Sequence, residues 1–214
     1  MTNPAVTKPM RSDGLRTRKL LVKAAAEAFA EQGIEASISE IAERAGTGKA
    51  TVFRHFSTKE DLLAAIVSEN QSRLVAIGTR LKHAEDPADG LHEFMAAALE
   101  LQVRDRAFCQ VAHGEARDHP DVRKGQEMLD AVTDALTDRA RLHGVIRQDI
   151  TGRDIMLLMS GIFQTASPLV ATQPQLWRRY LRLVFDGMQA GGAPELPGPP
   201  PEIESTPSPA PALP

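Results

Sequence analysis

The sequence predicts an all-α fold, and three observations predict it. Aromatic residues make up only 4% of the chain while Ala and Leu are abundant, a balance that suits helices better than sheets, which draw on aromatic and β-branched residues. Apolar residues recur at spacings of three and four along most of the chain, the period of a helix with one buried face. These segments are bounded by Ser/Thr-x-x-Glu/Asp sequences and by glycines, the usual start and stop signals of helices.

The elements follow in order. Residues 1–12 read as a flexible basic arm. From Leu15 the pattern is helical, with Leu21, Ala24, Ala25, Ala28 and Phe29 on one face, and Gly33 is placed to end the helix in a left-handed conformation. Ser37-Ile38-Ser39-Glu40 reads as a capping box for a second helix, whose apolar face is Ile38, Ile41, Ala42 and Ala45. It is barely two turns long before Gly46-Thr47-Gly48. A third short helix, about Lys49 to Phe56, takes Val52, Phe53 and Phe56 as its inward side. Ser57-Thr58-Lys59-Glu60 reads as a second capping box, opening a long helix that carries Leu63, Ile66, Val67, Leu74, Ile77 and Leu81. Asp86-Pro87 starts a helix that runs to about Arg106. Two more are expected across Phe108–Arg117 and Pro120–Leu142, the latter closed by His143-Gly144. Thr151-Gly152-Arg153-Asp154 caps a helix striped with Ile155, Leu158, Met159, Ile162 and Phe163. Pro174 opens the last one, with Trp177, Tyr180, Leu181, Val184, Phe185 and Met188 on a very wide apolar face. Nine of the fifteen prolines fall in residues 194–214, so residues 191–214 are expected to be a disordered tail.

Charge is unevenly placed. Residues 1–60 hold ten Lys/Arg and seven Asp/Glu, while the remainder holds fifteen and twenty-one. A basic end on an acidic chain suits local contact with a polyanion. Cys109 is the only cysteine, which excludes an intrachain disulfide and a cysteine zinc cluster and points to a reducing, cytoplasmic setting. The N-terminus carries Pro4, Lys8, Pro9 and Arg11 with no apolar core, so no signal peptide is expected. No run reaches the ~18 apolar residues of a membrane span, and no membrane partner is expected.

Three helices in the first 56 residues, the last two short and joined by Gly46-Thr47-Gly48, form a helix-turn-helix pattern. A helix that reads the major groove needs apolar anchors on its inner side and hydrogen-bond donors on its outer side. Val52 and Phe56 supply the first; Lys49, Thr51, Arg54 and His55 supply the second. Ser37 heads the preceding helix, where backbone amides can face phosphate, and Lys59 heads the long helix at a comparable place. Lys8, Arg11, Arg16, Arg18 and Lys19 could track a minor groove or phosphates, or could be a solvated leader.

At this point the chain resembles the TetR family of regulators. The resemblance rests on Glu31-Gln32-Gly33-Ile34, then Ile38-Ser39-Glu40-Ile41-Ala42-Glu43-Arg44-Ala45-Gly46, then Lys49-Ala50-Thr51-Val52-Phe53-Arg54-His55-Phe56, then Lys59-Glu60-Asp61-Leu62-Leu63. It covers about residues 15–65. The resemblance implies an N-terminal DNA-binding domain (residues 13–60) joined by a long helix to a helical ligand-binding and dimerisation domain (residues 61–190). It also implies DNA contacts at Ser37, Thr47, Lys49, Thr51, Phe53, His55 and Lys59. Two residues depart from the family pattern. Gly48 stands where a Ser commonly caps the recognition helix, leaving that task to Thr47 or to the glycine itself. Phe53 replaces a common Tyr and lacks the hydroxyl that could reach phosphate. The remaining helices are similar to C-terminal domains of an actinobacterial subgroup.

Two broad apolar helix faces at the chain's end need more partners than one small domain supplies. Residues 151–190 are therefore the expected homodimer interface, a four-helix bundle with the symmetry mate, and Ser160-Gly161 would permit close approach. A symmetric dimer implies a near-palindromic double-stranded DNA operator. By family analogy a small-molecule effector occupies the C-terminal helices, with Phe94, Met95, Phe108, Met128, Met159 and Phe163 as lining and His113 and Gln164 as polar handles. Flexible methionines suit such a pocket, although plain core packing explains each of these residues as well. An enzyme is not expected. His83, His92, His113, His119 and His143 lack metal spacing, no nucleophile elbow or phosphate loop is present, and no cofactor is implied. A non-specific architectural protein would need a larger basic excess. A regulator without a small-molecule effector, and a ligand-binding protein with a vestigial helix-turn-helix, remain as alternatives.

Overall fold

The computed structural model describes residues 9–104, 116, 118–191 and 194–201. Among these residues lie eight α-helices: α1 (Pro9–Gln32), α2 (Ile38–Arg44), α3 (Lys49–His55), α4 (Lys59–Leu81), α5 (Pro87–Arg104), α6 (Pro120–Leu142), α7 (Gly152–Ala166) and α8 (Leu176–Met188). Single 3-10 turns follow α1 and α7, and one isolated antiparallel bridge joins Ile146 to Gln189. The helix expected over Phe108–Arg117 lies almost wholly outside the described residues, as do Phe108 and His113 themselves. No helix among the described residues is long and apolar enough to cross a membrane.

Several boundaries differ from expectation for local reasons. The first helix starts at Pro9, not Leu15. Proline is well placed there, because its missing N–H is one the first helical turn leaves unpaired in any case. The last helix starts at Leu176, with Pro174 in the turn before it. The α7 segment ends at Ala166 and tightens into a 3-10 turn over Ser167–Leu169. The capping box of α4 is shifted by one residue. Thr58, not Ser57, is the cap: its amide donates to Asp61 Oδ2 at 2.9 Å, and the Asp61 amide donates to Thr58 Oγ1 at 3.0 Å.

The chain divides into two compact units. The first is Met1–Arg73 with Leu101–Glu127; the second is Leu74–Glu100 with Met128–Pro214. In the first, α1, α2, α3 and the start of α4 enclose a core of Leu21, Ala25, Phe29, Ile41, Val52, Phe56, Leu62 and Leu63, which also takes in Ala116 and Val122. The start of α6 is thus built into the core of the N-terminal helices. His119, just before α6, adds a polar link: its Nδ1 accepts from the Asp121 amide at 3.2 Å, and its Nε2 lies 3.4 Å from Asp61 Oδ1.

In the second unit α7 and α8 pack together, and Leu91, Phe94, Met95, Leu136, Ile155, Trp177, Leu181 and Phe185 are buried. His92 meets the Phe185 ring edge-on with centroids 5.0 Å apart. The segment after α6 clasps the end of the chain. The Arg147 amide donates to the Met188 carbonyl and the Ala190 amide to the Val145 carbonyl. The Arg147 guanidinium grips Asp149 through two bonds of 2.8 and 2.6 Å and reaches the Pro194 carbonyl at 2.6 Å. The Leu196 amide donates to Asp149 at 3.0 Å. The start of the proline-rich tail is therefore held in place, contrary to the expectation for residues 191–214, and residues 202–214 lie outside the described residues.

This clasp carries a pH signature. The Arg147 bonds, then the Leu196 amide, hold the Asp149 carboxyl far below its ordinary value. A carboxyl depressed in the folded state stabilises fully above its unfolded pKa of about 3.9, and that contribution fades as pH falls below it. Asp149→Asn is therefore expected to lower the thermal midpoint at pH 7. The gap from the natural protein should narrow in melts run progressively below about pH 4. A gap constant down to pH 2 would rule out this linkage.

Candidate nucleic-acid interface

The N-terminal helices are shaped by their ends. Gly33 and Gly46 both have positive φ, +67° and +66°, which only glycine adopts without cost, and these close α1 and α2. Ser37 caps α2 as expected. Its amide and its hydroxyl each donate to Glu40 Oε2 at 2.8 Å, and the Glu40 amide donates back to Ser37 Oγ at 3.3 Å. Those bonds hold the Glu40 carboxyl below its usual range. Gly48 is the N-cap of α3 and offers no side chain. Thr47 does not replace it, because its hydroxyl is buried without a hydrogen-bond partner.

The rotation of α3 decides what it shows to solvent. Val52 (0% exposed) and Phe56 (3%) point into the core. At about 100° per residue, Ala50 and Arg54 then stand on the crest opposite, with Phe53 on one flank and Thr51 on the other. Exposure agrees: Lys49, Ala50, Phe53 and Arg54 are exposed, whereas Thr51 and His55 are half-buried. Phe53 is 52% exposed, which corrects its assignment to the inward side. Ala50 was not singled out from sequence, since a methyl group gives no signal on a helix of two turns.

Arg18 of α1 fixes α3 from behind. Its Nη1 donates to the His55 carbonyl at 3.2 Å, and its guanidinium lies 4.3 Å from the centre of the Phe56 ring. A cation at a helix C-terminus and over an aromatic face is favourable on both counts. Arg18 is thus a brace inside the unit and not part of a DNA-tracking arm. Arg44 is likewise committed, bound to Glu31 through 2.8 and 2.6 Å bonds that raise the pKa of the guanidinium and lower that of the carboxyl. Lys59, in the first turn of α4, is half-buried with its ammonium 5.5 Å from the Phe29 ring centre. The cations that stand out on α3 are Lys49 and Arg54.

Two family models match this chain. "Bacterial regulatory proteins, tetR family" matches residues 21–66, and "Transcriptional regulator SbtR-like, C-terminal domain" matches residues 86–190. The chain belongs to the TetR family of helix-turn-helix transcriptional regulators. Among its relatives, the HTH-type transcriptional repressor Rv3405c of Mycobacterium tuberculosis is 43% identical over 70 residues, covering 32% of this chain and 35% of that repressor. The UidR regulator of Escherichia coli K12 is 31% identical over 106 residues, 48% of this chain and 50% of UidR. The matched stretches thus span between a third and a half of these relatives. Among solved structures, the TetR regulator SCO0520 of Streptomyces coelicolor superposes with a TM-score of 0.63 at 27% identity, covering 80% of this chain and 98% of that one.

In this TetR-family chain the described residues among those proposed for a ligand pocket fall into two groups. Phe94, Met95, Met159 and Phe163 are buried in the second unit, while Met128 (50% exposed) and Gln164 face solvent. An open cleft of about 530 Å³ lies elsewhere, between α1 and α4 in the first unit, and none of these residues lines it. On α7, Leu157, Ser160, Gly161 and Gln164 share an exposed face; on α8, Trp177, Leu181, Phe185 and Met188 are buried and Leu183 is 57% exposed.

Proposed function

We infer that the protein is a sequence-specific transcriptional repressor that binds a near-palindromic operator as a homodimer and is released by a small, largely apolar effector. The single observation that carries the DNA-binding part is the mounting of α3. Its apolar side is locked by Val52 and Phe56 and braced by Arg18, while Lys49, Ala50, Phe53 and Arg54 are left open to solvent. A short helix held this way fits the major groove. Lys59, Ser37, Thr47, Gly48, Thr51 and His55 complete the proposed contact set, with Lys59 on a phosphate.

The exposed Leu157 and Leu183 support dimerisation through residues 151–190. The effector, a cytoplasmic location and the lack of enzymatic activity are parts of the same reading. An effector works here by population shift: it favours a dimer whose two α3 helices are wrongly spaced for the half-sites, so operator affinity falls.

Sequencing the genomic fragments that the protein retains tests this reading and yields the operator. On that operator, Lys59→Ala should weaken specific and random DNA alike and reduce the salt slope by about one. Thr51→Ala should lose more on operator than on random DNA, as expected of a residue near base edges. Retention of no fragment, or equal affinity for operator and random DNA at 150 mM salt, would overturn specific binding.

A further inference from the structure

The outward side of α3 is unusual in being half apolar. Ala50 stands on the crest, and Phe53, one turn along at i+3, presents a phenyl ring that is 52% exposed. Residues three apart on a helix are neighbours, so the alanine methyl and the phenyl ring form one apolar step. Lys49 and Arg54, both exposed, stand beside it. Core packing does not account for Phe53, because Val52 and Phe56 already fill the inner side at 0% and 3% exposure.

A phenyl ring has no donor or acceptor. It cannot pair with a base edge or hydrogen-bond to phosphate. In the major groove its partner is the apolar group that DNA offers there, the C5-methyl of thymine, which alanine also contacts. We propose that Phe53, together with Ala50, reads thymine methyl groups and sets part of the operator's sequence preference. The adjacent Lys49 and Arg54 are suited to guanine O6 and N7 or to phosphate. The proposal rests on the DNA-binding reading above and specifies what one face of that helix recognises.

The test uses the full chain and the operator recovered from retained genomic fragments. Each thymine of a half-site is replaced, one at a time, by deoxyuridine, which removes the methyl and leaves every hydrogen-bonding group. At one or two positions per half-site the natural protein should bind about three- to tenfold more weakly, the worth of one buried methyl. Phe53→Ala should lose most of the discrimination between thymine and uracil at one of those positions, with any remainder at the other belonging to Ala50, and Phe53→Leu should keep part of the preference. Because Phe53 is exposed, the thermal midpoint of both variants should match that of the natural protein, which separates lost reading from lost folding. Two results would overturn the proposal while leaving the regulator intact: no uracil penalty at any thymine, which is also the outcome if the ring rests on deoxyribose, or a penalty undiminished in Phe53→Ala. Retention of no DNA at all would remove the underlying reading and this proposal with it.

Discussion

Replacing Leu157 and Leu183 together with glutamate is expected to turn the proposed dimer into a monomer and to weaken binding to a full operator by about 10²- to 10⁴-fold, the span that linking two binding modules typically adds. The protomer itself should survive. Both side chains are already 49% and 57% exposed, while the inner faces of α7 and α8, with Ile155, Met159, Trp177 and Phe185, are untouched. In an isologous contact each substitution occurs twice, so four carboxylates would have to be desolvated without partners, and each such burial costs several kcal/mol. Operator affinity is lost because each protomer carries one α3, and two helices held about 34 Å apart are needed to enter successive major grooves. Sedimentation gives the mass, and anisotropy titrations on full-site and half-site duplexes give the affinities. Half-site binding should be nearly unchanged. A double variant that stays dimeric would show that these faces are not the interface, and a monomer with full-site affinity intact would show that operator binding does not need the dimer.

How much of this was legible in the sequence depended on whether the deciding contacts are local. The Ser37–Glu40 and Thr151–Asp154 capping boxes, and the left-handed Gly33, are settled within a few residues, and both boxes form as read. The box that opens α4 could not be placed so surely. Ser57-x-x-Glu60 and Thr58-x-x-Asp61 are overlapping frames of equal quality, and the frame used is the one whose carboxylate also meets His119, some sixty residues along the chain. Arg18 looked like part of a basic arm because its partners, the His55 carbonyl and the Phe56 ring, come from a different helix. The turn of α3 about its axis was ambiguous for a related reason. Seven residues and the C-cap Phe56 offer two apolar sides, Val52/Phe56 and Phe53, and only the packing against α1 and α2 decides which one faces inward. No local pattern announced that Val122 belongs to the core of the N-terminal unit.

Phe94→Ala is expected to lower the stability of the protein by about 3–5 kcal/mol, the usual cost of removing a fully buried ring. That corresponds to a fall in thermal midpoint of about 6–20 °C for a chain of this size. Phe94 was proposed from sequence as pocket lining, and the size of the loss discriminates between the two roles. A ring bordering an open pocket has solvent on one side, and its truncation mainly changes ligand affinity. Phe94 is 0% exposed, and its Cε2 and Cδ2 lie 3.0 and 3.2 Å from where a Cβ on Gly78 would stand. The same Cβ would be 2.2 Å from Val132 Cγ1, so α4, α5 and α6 meet here with no spare volume. Met128→Ala, at a side chain 50% exposed, should cost under about 1 kcal/mol in the same melts. The converse experiment is Gly78→Ala, which inserts a methyl into the filled space. The gain in helix propensity, about 1 kcal/mol, is opposed by overpacking that typically costs 1–3 kcal/mol, roughly, and a net loss is expected. Val132→Ala removes the nearest obstructing atom, so the Gly78→Ala/Val132→Ala double variant should be more stable than the sum of the single losses predicts. Additive losses, or a Phe94→Ala midpoint within 2 °C of the natural protein (roughly the shift of a surface substitution), would mean that this crossing is loose enough to open around a ligand.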